Sequence, residues 1–301
     1  MFRHLLIPLD GSRLAESALP PAALLARQMN AAVTLVHVIE KNAPSEVHSE
    51  RHLVTPEEAS AYLDEVAHLP TLAGLRVETH VHTAEVSNVP GSITEHSAEL
   101  APDLIVMSTH GRGGVRRLFM GDIAQRVISR GTTPVLIVHP EERRAADGGQ
   151  WRTILAPIDG EPAHERGLPI AADLALAFHC RLVLLMVVPT IGELSGSQAA
   201  ASILLPAATR EKLEMDRAGA QEYLDEKVGS LKKQGIAAGC EASRGDPARA
   251  ILKAARRLSA DLIVMGTHGR AGTDAFWAGS VAARVVSRSR VPLLLVPLKD
   301  G

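Results

Sequence analysis

The 301-residue chain has little cysteine, few aromatic residues and almost no net charge. Its two cysteines cannot cross-link a scaffold of this size, and such scarcity is typical of a reducing compartment, so we expect a cytoplasmic protein. A formal net charge of −2 argues against a duplex-DNA binder that depends on neutralising phosphates over its whole surface. With 3% aromatic residues, few side chains can stack on bases, so we expect no nucleic-acid partner.

Long apolar runs are also missing. The short apolar run at the start of the sequence is interrupted at Pro8 and ends at Asp10, which is too early for the apolar core of a secretory signal. No segment reaches the roughly 18 consecutive apolar residues that a membrane-spanning helix needs. We therefore expect neither export through such a signal nor a membrane span.

A long internal repeat organises what is present. The segment 3–11, RHLLIPLDG, returns at 152–160 as RTILAPIDG, an offset of 149 residues (152 minus 3). The segment 103–112, DLIVMSTHGR, returns at 261–270 as DLIVMGTHGR, an offset of 158 residues (261 minus 103). Because a repeat of this length sets the number of domains, the chain is predicted to contain two similar domains.

The two offsets place the domain boundaries. The second copy has gained nine residues (158 minus 149), and these fit the small-residue stretch 192–209. A charged segment without apolar periodicity separates the copies and is typical of a linker. We predict a first domain at 1–140, a linker at 141–150 and a second domain at 151–301.

Each copy alternates short β-branched or leucine-rich runs with longer segments of helical periodicity, which predicts βαβ units around a parallel sheet. Several strands are apolar on both faces, as expected when helices cover both sides. Five strands are predicted in each copy: near 4–9, 32–39, 76–82, 103–107 and 134–138 in the first, and near 153–158, 181–188, 236–241, 261–265 and 292–296 in the second. The fold class is therefore α/β, with two doubly wound domains in tandem.

Candidate binding residues follow the strands, because ligands of open α/β sheets bind at the carboxyl ends of the strands. The first strand of the second copy ends at Asp159, and its fourth strand enters a loop with Gly266 and Gly269. Gly279 and Ser280 then open the next helical segment. Glycine allows backbone amides to approach an anion, and a helix start adds unpaired N–H groups, so this pattern predicts a phosphate site built without a lysine.

Two other phosphate-binding patterns are excluded by inspection. Neither copy contains the sequence G-x-x-x-x-G-K-[ST], so the chain is not a P-loop nucleoside triphosphatase. The run 111–116, GRGGVR, starts like a dinucleotide fingerprint, but Arg116 stands where its last glycine belongs. This run also follows the fourth strand instead of the first.

On these motifs the sequence resembles a tandem member of the universal stress protein family, and the resemblance covers essentially both halves. The family signature G-x2-G-x9-G-[S/T] is complete in the second copy, where it falls in register with the predicted strands. The resemblance implies two flavodoxin-like (adenine nucleotide alpha hydrolase-like) domains packed as a pseudo-dimer, with ATP bound in the second. It also implies Mg²⁺ or Mn²⁺ on the phosphates and a homodimer of the whole chain.

The resemblance assigns roles to residues of the second copy. Asp159 is expected beside the ribose, the backbone of Val187 beside the adenine, and the segment from Gly266 to Ser280 around the phosphates. The nucleotide-binding residues implied are Pro157, Ile158, Asp159, Val187, Gly245, Met265, Gly266, His268, Gly269, Arg270, Gly279, Ser280 and Val281.

The first copy departs from the signature. Ser108 replaces its first glycine, and Asp122 replaces its Ser/Thr. A carboxylate at a helix start stabilises the helix but repels a phosphate, by about 1 to 4 kcal/mol at roughly 4 Å. Ser87 and Val89 also stand where the second copy has Gly245 and Pro247. We predict that the first copy has lost triphosphate binding.

Several candidate residues also fit a purely structural role. Asp159 precedes a predicted helix and fits a ligand role, an N-cap role or both, whereas Asp10 is predicted to be only a cap. His80 and His82 share one face of a strand, as two metal ligands would, but no third ligand is placed by the sequence. The remaining candidates are assigned to loop structure or to a basic face: His110, His268, Arg112, Arg116 and Arg117.

Three functions remain open at this point. A nucleotide-dependent stress regulator needs no catalytic residue, and the sequence supplies none. An ATPase or nucleotidyl transferase would need a positioned base, for which only His268, Arg270 and a bound cation are candidates, so we expect at most weak hydrolysis. A nucleotide-independent scaffold would use the closing strands 134–138 and 292–296, whose edges can pair with each other.

Overall fold

The computed structural model describes residues 1–41, 46–47, 50–51, 53–108, 122–140, 150–194, 196–267 and 280–298. It divides into two compact units. Unit 1 comprises Met1–Gln150, Thr267–Ala278 and Arg290–Gly301, and unit 2 comprises Trp151–Gly266 and Gly279–Ser289.

Unit 1 is an α/β unit with a parallel-dominated sheet. Its strands are β1 (His4–Pro8), β2 (Ala32–Glu40), β5 (Arg76–Val86), β6 (Leu104–Ser108), β7 (Val135–Val138) and β12 (Leu293–Pro297), and a small hairpin is formed by β3 (Glu46–Val47) and β4 (Glu50–Arg51). Its helices are α1 (Arg13–Glu16), α2 (Leu19–Met29), α3 (Pro56–Ala67), α4 (Val89–Glu99) and α5 (Asp122–Arg130), with a 3₁₀ turn at Pro70–Leu72. The strand order is β12-β7-β6-β1-β2-β5.

Unit 2 repeats the four-strand order β5-β2-β1-β6 of unit 1. Its strands are β8 (Thr153–Ile158), β9 (Arg181–Val188), β10 (Ala238–Arg244) and β11 (Leu262–Thr267), in the parallel order β10-β9-β8-β11. Its helices are α6 (Gly167–Ala177), α7 (Gly196–Leu204), α8 (Pro206–Lys233), α9 (Pro247–Arg257) and α10 (Val281–Val286), with 3₁₀ turns at Pro162–His164 and Ile191–Glu193. The inserted stretch of the second copy therefore forms α7 and the start of α8.

The last strand of the chain lies in unit 1. β12 pairs antiparallel with β7, with Leu293 opposite Ile137 and Leu295 opposite Val135. β7 also pairs with β6, so it has a neighbour on both sides. The expected pairing of the two closing strands is confirmed, and it gives unit 1 one antiparallel strand in an otherwise parallel sheet.

The cores follow from the apolar strands and one apolar face of each covering helix. The described residues of β6 and β7 are buried apart from Ser108, and α9 buries a small-residue face. Each leucine or isoleucine removed from water in this way contributes about 1.5–3 kcal/mol. In unit 2, Trp151 packs on Phe178 with ring centroids 4.7 Å apart.

Backbone conformations recur between the copies. Residues with positive φ occur at matching positions after α2 and α6, after α4 and α9, and after the first strand of each unit. The pairs are Asn30 and His179 (φ 52° and 51°), Ala101 and Ser259 (46° and 50°), and Gly11 and Gly160 (89° and 83°). The repeat seen in the sequence is thus a repeat of backbone geometry as well.

A carboxylate braces the amino ends of the strands in both units. In unit 1, Asp103 accepts hydrogen bonds from the backbone amides of Arg3 and His4, at 2.7 and 3.1 Å. In unit 2, Asp261 accepts hydrogen bonds from the amides of Arg152 and Thr153, at 2.8 and 2.9 Å. These aspartates lie at the amino ends of the strands, opposite the edge where the candidate site begins, so their recurrence is structural.

Candidate functional site

Parallel strands bring the predicted residues of unit 2 to one edge of its sheet. Asp159 follows β8, Val187 is the penultimate residue of β9, and Gly245 follows β10. Met265 and Gly266 are near the end of β11. Since the strands are parallel and adjacent, their carboxyl ends share this edge, which is where α/β sheets bind ligands.

The walls of this edge are partly accessible. Pro157, Ile158, Val187 and Gly266 are half-buried, whereas Met265 is 7% exposed and belongs to the core. An apolar floor with backbone groups at its rim suits a flat heteroaromatic ring.

Asp159 has both carboxylate oxygens engaged at the rim. Its Oδ1 accepts a hydrogen bond from the backbone N–H of Glu161 at 3.0 Å, and its Oδ2 lies 2.6 Å from Nδ1 of His164. The Asp159 side chain is 57% exposed, so a ligand can still reach it. The expected N-cap role is wrong, because a turn over Glu161 intervenes and α6 begins only at Gly167.

The turn after β8 requires glycine. Gly160 has φ +83°, which disfavours side chains, and a Cβ built there would lie 2.5 Å from Cε of Met186. The side chain of Met186 therefore lies against the backbone that immediately follows Asp159.

The loop after β10 also depends on a glycine. Gly245 has φ +117°, and its N–H donates to the carbonyl of Val188 at 3.1 Å. Ser87, at the matching position of the first copy, is not among the described residues with positive φ. The two copies therefore differ in backbone conformation at this loop.

An acidic side chain, Glu193, lies near Gly245. A Cβ built on Gly245 would lie 3.8 Å from its Oε1. The hydroxyl and then the backbone N–H of Thr190 donate to the Glu193 carboxylate, and these bonds lower the pKa of Glu193. Sequence inspection did not identify this carboxylate at the rim.

An ion pair links the loop after β10 to the helix that carries Ser280. Asp246 caps α9 by accepting from the N–H of Arg249 at 2.9 Å, and its Oδ2 lies 2.5 Å from Arg284. Burial opposes ionisation of Asp246, but the hydrogen bonds from Arg249 and Arg284 and their charges outweigh it and lower its pKa. Arg284 belongs to α10, so this pair holds the start of α10 near the site.

Of the glycine signature, the structure describes the first residue, Gly266, and the last, Ser280. Ser280 is the N-cap of α10, with its hydroxyl oxygen accepting from the N–H of Ala283 at 3.1 Å, and Val281 is the first helical residue. The hydroxyl proton of Ser280 stays available to an acceptor. The predicted residues His268, Gly269, Arg270 and Gly279 lie outside the described residues.

Sequence inspection missed a second cluster, which is centred on Glu165, the residue that follows His164. The buried carboxylate of Glu165 accepts hydrogen bonds from the hydroxyl of Tyr223 at 2.7 Å and from Nζ of Lys227 at 2.8 Å. The hydrogen bond that Lys227 donates to Glu165 raises the pKa of Lys227. The pKa of Tyr223 is raised mainly by burial and also by its own hydrogen bond to Glu165. This cluster fastens the loop that carries His164 to α8.

A signal for this cluster was present in the sequence. The chain has two tyrosines, and the other one, Tyr62, donates to Glu16 at 3.1 Å in unit 1. Glu16 and Glu165 are related by the repeat offset of 149 residues (165 minus 16). In the first copy, however, Ala15 and Val66 stand at the positions of His164 and Lys227.

The matching edge of unit 1 is built differently. Oδ1 of Asp10 accepts from the N–H and the hydroxyl of Ser12, and Ser12 is the N-cap of α1. The predicted cap role of Asp10 is therefore wrong, because the strand ends at Pro8 and the helix begins five residues later at Arg13. A Cβ on Gly11 would lie 3.0 Å from the side chain of Leu53, so Leu53 lies over this turn.

Other candidates of the first copy are only partly described. Asp122 is the first residue of α5, but its side chain lies outside the described residues, as do His110, Arg112, Arg116 and Arg117. His80 and His82 both lie on β5 and are half-buried. In the described part of the chain, no group of three or more His, Cys, Asp or Glu side chains is arranged to hold a metal ion.

No helix of the described ranges combines the length and the apolar character needed to cross a membrane.

Both halves of the chain match one known protein family. The family model described as "Universal stress protein family" matches residues 1–139 and again 150–297. A universal stress protein of Mycolicibacterium smegmatis is 29% identical over 308 residues, which cover 97% of this chain and 96% of that relative. A universal stress protein of Mycobacterium tuberculosis is 28% identical over 305 residues, covering 96% and 95% of the two chains.

A solved structure shows the same fold. The crystal structure of a universal stress protein from Archaeoglobus fulgidus aligns with a TM-score of 0.71 at 17% identity, covering 99% of this chain and 97% of that one. At this identity the likeness concerns the fold alone. It supports the α/β architecture over both halves.

Proposed function

The chain belongs to the universal stress protein family, with one family domain in each half, and from this premise we propose that its second domain binds ATP. The observation that carries the proposal is the edge of unit 2, where four adjacent strand ends meet beside the start of α10. Apolar strand ends, an exposed carboxylate and a helix start supply in one place what a base, a ribose and a phosphate chain need.

We assign the parts of the nucleotide to the residues at this edge. The adenine lies on the half-buried ends of β8 and β9 and meets the backbone of Val187. Asp159 accepts hydrogen bonds from the ribose hydroxyls. The phosphates lie between Gly266 and Ser280, where backbone amides and the Ser280 hydroxyl donate to them, and Mg²⁺ or Mn²⁺ accompanies them on their oxygen atoms.

The first domain is proposed not to bind a triphosphate. Its signature carries Ser108 and Asp122 in place of the first glycine and the Ser/Thr. Its loop after β5 has Ser87 without the positive φ of Gly245, and the side chain of Leu53 lies over the turn after β1.

We propose a regulator instead of an efficient enzyme. Binding of ATP to one conformation stabilises it in proportion to the logarithm of ligand concentration, so the fraction in that state reports the nucleotide level. The protein is proposed to work in the cytoplasm as a homodimer of the two-domain chain, through protein partners that sense this state. Phosphate release, measured beside binding, tests the enzyme alternative: turnover above that of Gly279→Asp would favour it.

The direct test is calorimetric titration of the purified full-length chain with ATP, with and without Mg²⁺, together with mass identification of any nucleotide released by heat. We expect one ATP per chain, with weaker binding in Asp159→Asn and no change in Asp10→Asn, its counterpart in the first copy. Ser280→Asp puts the carboxylate of the first copy into the second and should abolish binding.

Two further variants, one in each copy, locate the site. Gly279→Asp should also lose ATP, and Asp122→Ser should leave the stoichiometry at one. Two ATP per chain would contradict the proposed loss of the first site. Absence of bound nucleotide and of any calorimetric signal would overturn the proposal and leave the scaffold function.

A further inference from the structure

Resting on the proposed ATP site, we infer that His164 is a positioning residue, which holds the carboxylate of Asp159 in the orientation that receives the ribose hydroxyls. The contact between Nδ1 of His164 and Oδ2 of Asp159 is 2.6 Å long. Neither the family signature nor the strand-end rule includes His164, because it lies in a 3₁₀ turn beyond the strand.

The carboxylate of Asp159 is held at both oxygens. The N–H of Glu161 donates to Oδ1 at 3.0 Å, while the imidazole holds Oδ2. A carboxylate oxygen has two acceptor sites, so each oxygen retains one for a ligand. A vicinal diol, which presents two hydroxyl donors side by side, matches two such acceptors.

The residue that follows His164 is buried and hydrogen-bonded, although the site itself is exposed. His164 is 35% exposed at its side chain, but the next residue, Glu165, is 7% exposed and bonded to Tyr223 and Lys227 of α8. An exposed carboxylate otherwise samples several rotamers, and ordering it on binding costs affinity. Holding it in advance removes part of that cost.

The first copy supplies an internal contrast. It retains the aspartate, the glutamate and the tyrosine as Asp10, Glu16 and Tyr62, with Tyr62 donating to Glu16 at 3.1 Å. Oδ1 of Asp10 accepts from the N–H of Ser12, just as Oδ1 of Asp159 accepts from the N–H of Glu161, but the residue at the position of His164 is Ala15, which has no polar side chain. The histidine therefore accompanies the copy with the complete signature and is absent from the copy without it.

The test compares ligands that differ only at the ribose. We expect His164→Ala to weaken binding of ATP about two- to tenfold, which is the range for losing one hydrogen-bonded support, while binding of 2′,3′-dideoxy-ATP stays unchanged. His164→Asn places an amide donor near the position of Nδ1 and should restore most of the loss. A histidine that merely supported the fold would weaken both nucleotides equally.

A ligand-free measurement tests the contact by itself. Nitrogen NMR of the full chain at alkaline pH should show the neutral His164 ring protonated at Nδ1, and Asp159→Ala should shift it toward the Nε2-protonated form. Equal losses for ATP and dideoxy-ATP, no loss for either, or an Nε2-protonated ring would overturn the positioning role. If the wild-type protein binds neither nucleotide while His164 is protonated at Nδ1, the contact with Asp159 exists but the ATP proposal is wrong. The proposed role of the contact in receiving the ribose is then wrong as well.

Discussion

The guanidinium of Arg284 lies 2.5 Å from the carboxylate of Asp246, and through this contact the first turn of α9 is joined to α10. Asp246 is 20% exposed at its side chain and Arg284 is 35% exposed, so water screens the pair incompletely. In the first copy the corresponding residues are Asn88 and Arg126, and Asn88 carries no charge. The ion pair is thus a feature of the second copy, which has the complete signature.

Separating the cap from the ion pair gives the first prediction. Asp246→Asn keeps an N-cap acceptor but removes the charge and should lower the free energy of unfolding by up to about 1 kcal/mol. Asp246→Ala also removes the cap and should cost about 1–2 kcal/mol more. Urea unfolding followed by the fluorescence of Trp151, which is buried in unit 2, measures both in a Trp277→Phe background. Equal losses in the two variants would contradict this separation.

The same pair predicts a pH dependence. The pKa of Asp246 is lower in the folded protein, so its ionisation stabilises the fold above the ordinary aspartate pKa, and this contribution is lost as the pH falls through the folded value. The stability difference between wild type and Asp246→Asn should therefore be full above about pH 5 and shrink on acidification. Urea midpoints measured from pH 7 down to the acid limit of folding give this difference, and a difference that grew in acid would refute it.

A third prediction concerns the brace at the amino ends of the strands. Asp261→Ala removes the acceptor to which the amides of Arg152 and Thr153 donate, and it should destabilise the protein by about 1–3 kcal/mol, because both amides lose hydrogen bonds to a charged group. Its affinity for ATP should not change, since Asp261 lies at the opposite end of β8 from Asp159. Thermal unfolding and calorimetry on the same preparation check both parts. A loss of affinity without a loss of stability would show that the brace is part of the site.

Much of the architecture could be predicted because strands and helices are determined by residues that are close in sequence. The repeated strand runs place Asp159, Val187 and Gly266 at strand ends, and the structure brings these ends to one edge of unit 2. Apolar runs and their spacing depend on residues close in sequence, and parallel pairing then follows from the βαβ connections.

The side-chain contacts could not be predicted in the same way. Arg284 and Asp246 form their contact across 38 residues of sequence, and Tyr223 and Glu165 form theirs across 58. No pattern among neighbouring residues specifies contacts at such separations. The cap role expected for Asp10 failed because two residues, Gly11 and Ser12, separate it from the helix and take over the turn and the cap. Such outcomes depend on where a helix starts within one or two residues.

The residues with left-handed backbone give a fourth prediction. Ala101 has φ +46°, a backbone conformation that is strained for a residue with a Cβ, and its exposed side chain contributes nothing to the core. Ala101→Gly should therefore raise the free energy of unfolding by between zero and about 1 kcal/mol. The gain is limited because the relief of backbone strain competes with the greater conformational freedom of glycine in the unfolded chain. Ala254→Gly, inside α9, is the control and should lose about 1 kcal/mol or more. Differential scanning calorimetry distinguishes the two signs, and equal destabilisation would contradict the assigned backbone conformation.

The last prediction concerns the cluster of Glu165, Tyr223 and Lys227. Lys227→Met leaves a buried carboxylate without its cation and should lower the free energy of unfolding by about 1–3 kcal/mol. The control is Lys212→Met, because Lys212 forms an exposed pair with Asp216 on the same helix, which should contribute no more than about 0.5 kcal/mol.

The pKa of Lys227 is raised from 10.5 in the folded protein, so the stabilisation by Lys227 is full below that pH and is lost as the pH rises further. The raised pKa of Tyr223 acts in the same direction, because the unfolded chain loses its tyrosine proton first. Urea unfolding at pH 7 and at increasing alkaline pH should show the Lys227→Met difference shrinking, while Lys212→Met stays near zero throughout. Equal effects of the two lysines at pH 7 would mean that Glu165 does not need its cation, and the anchoring of the His164 loop to α8 would then rest on Tyr223.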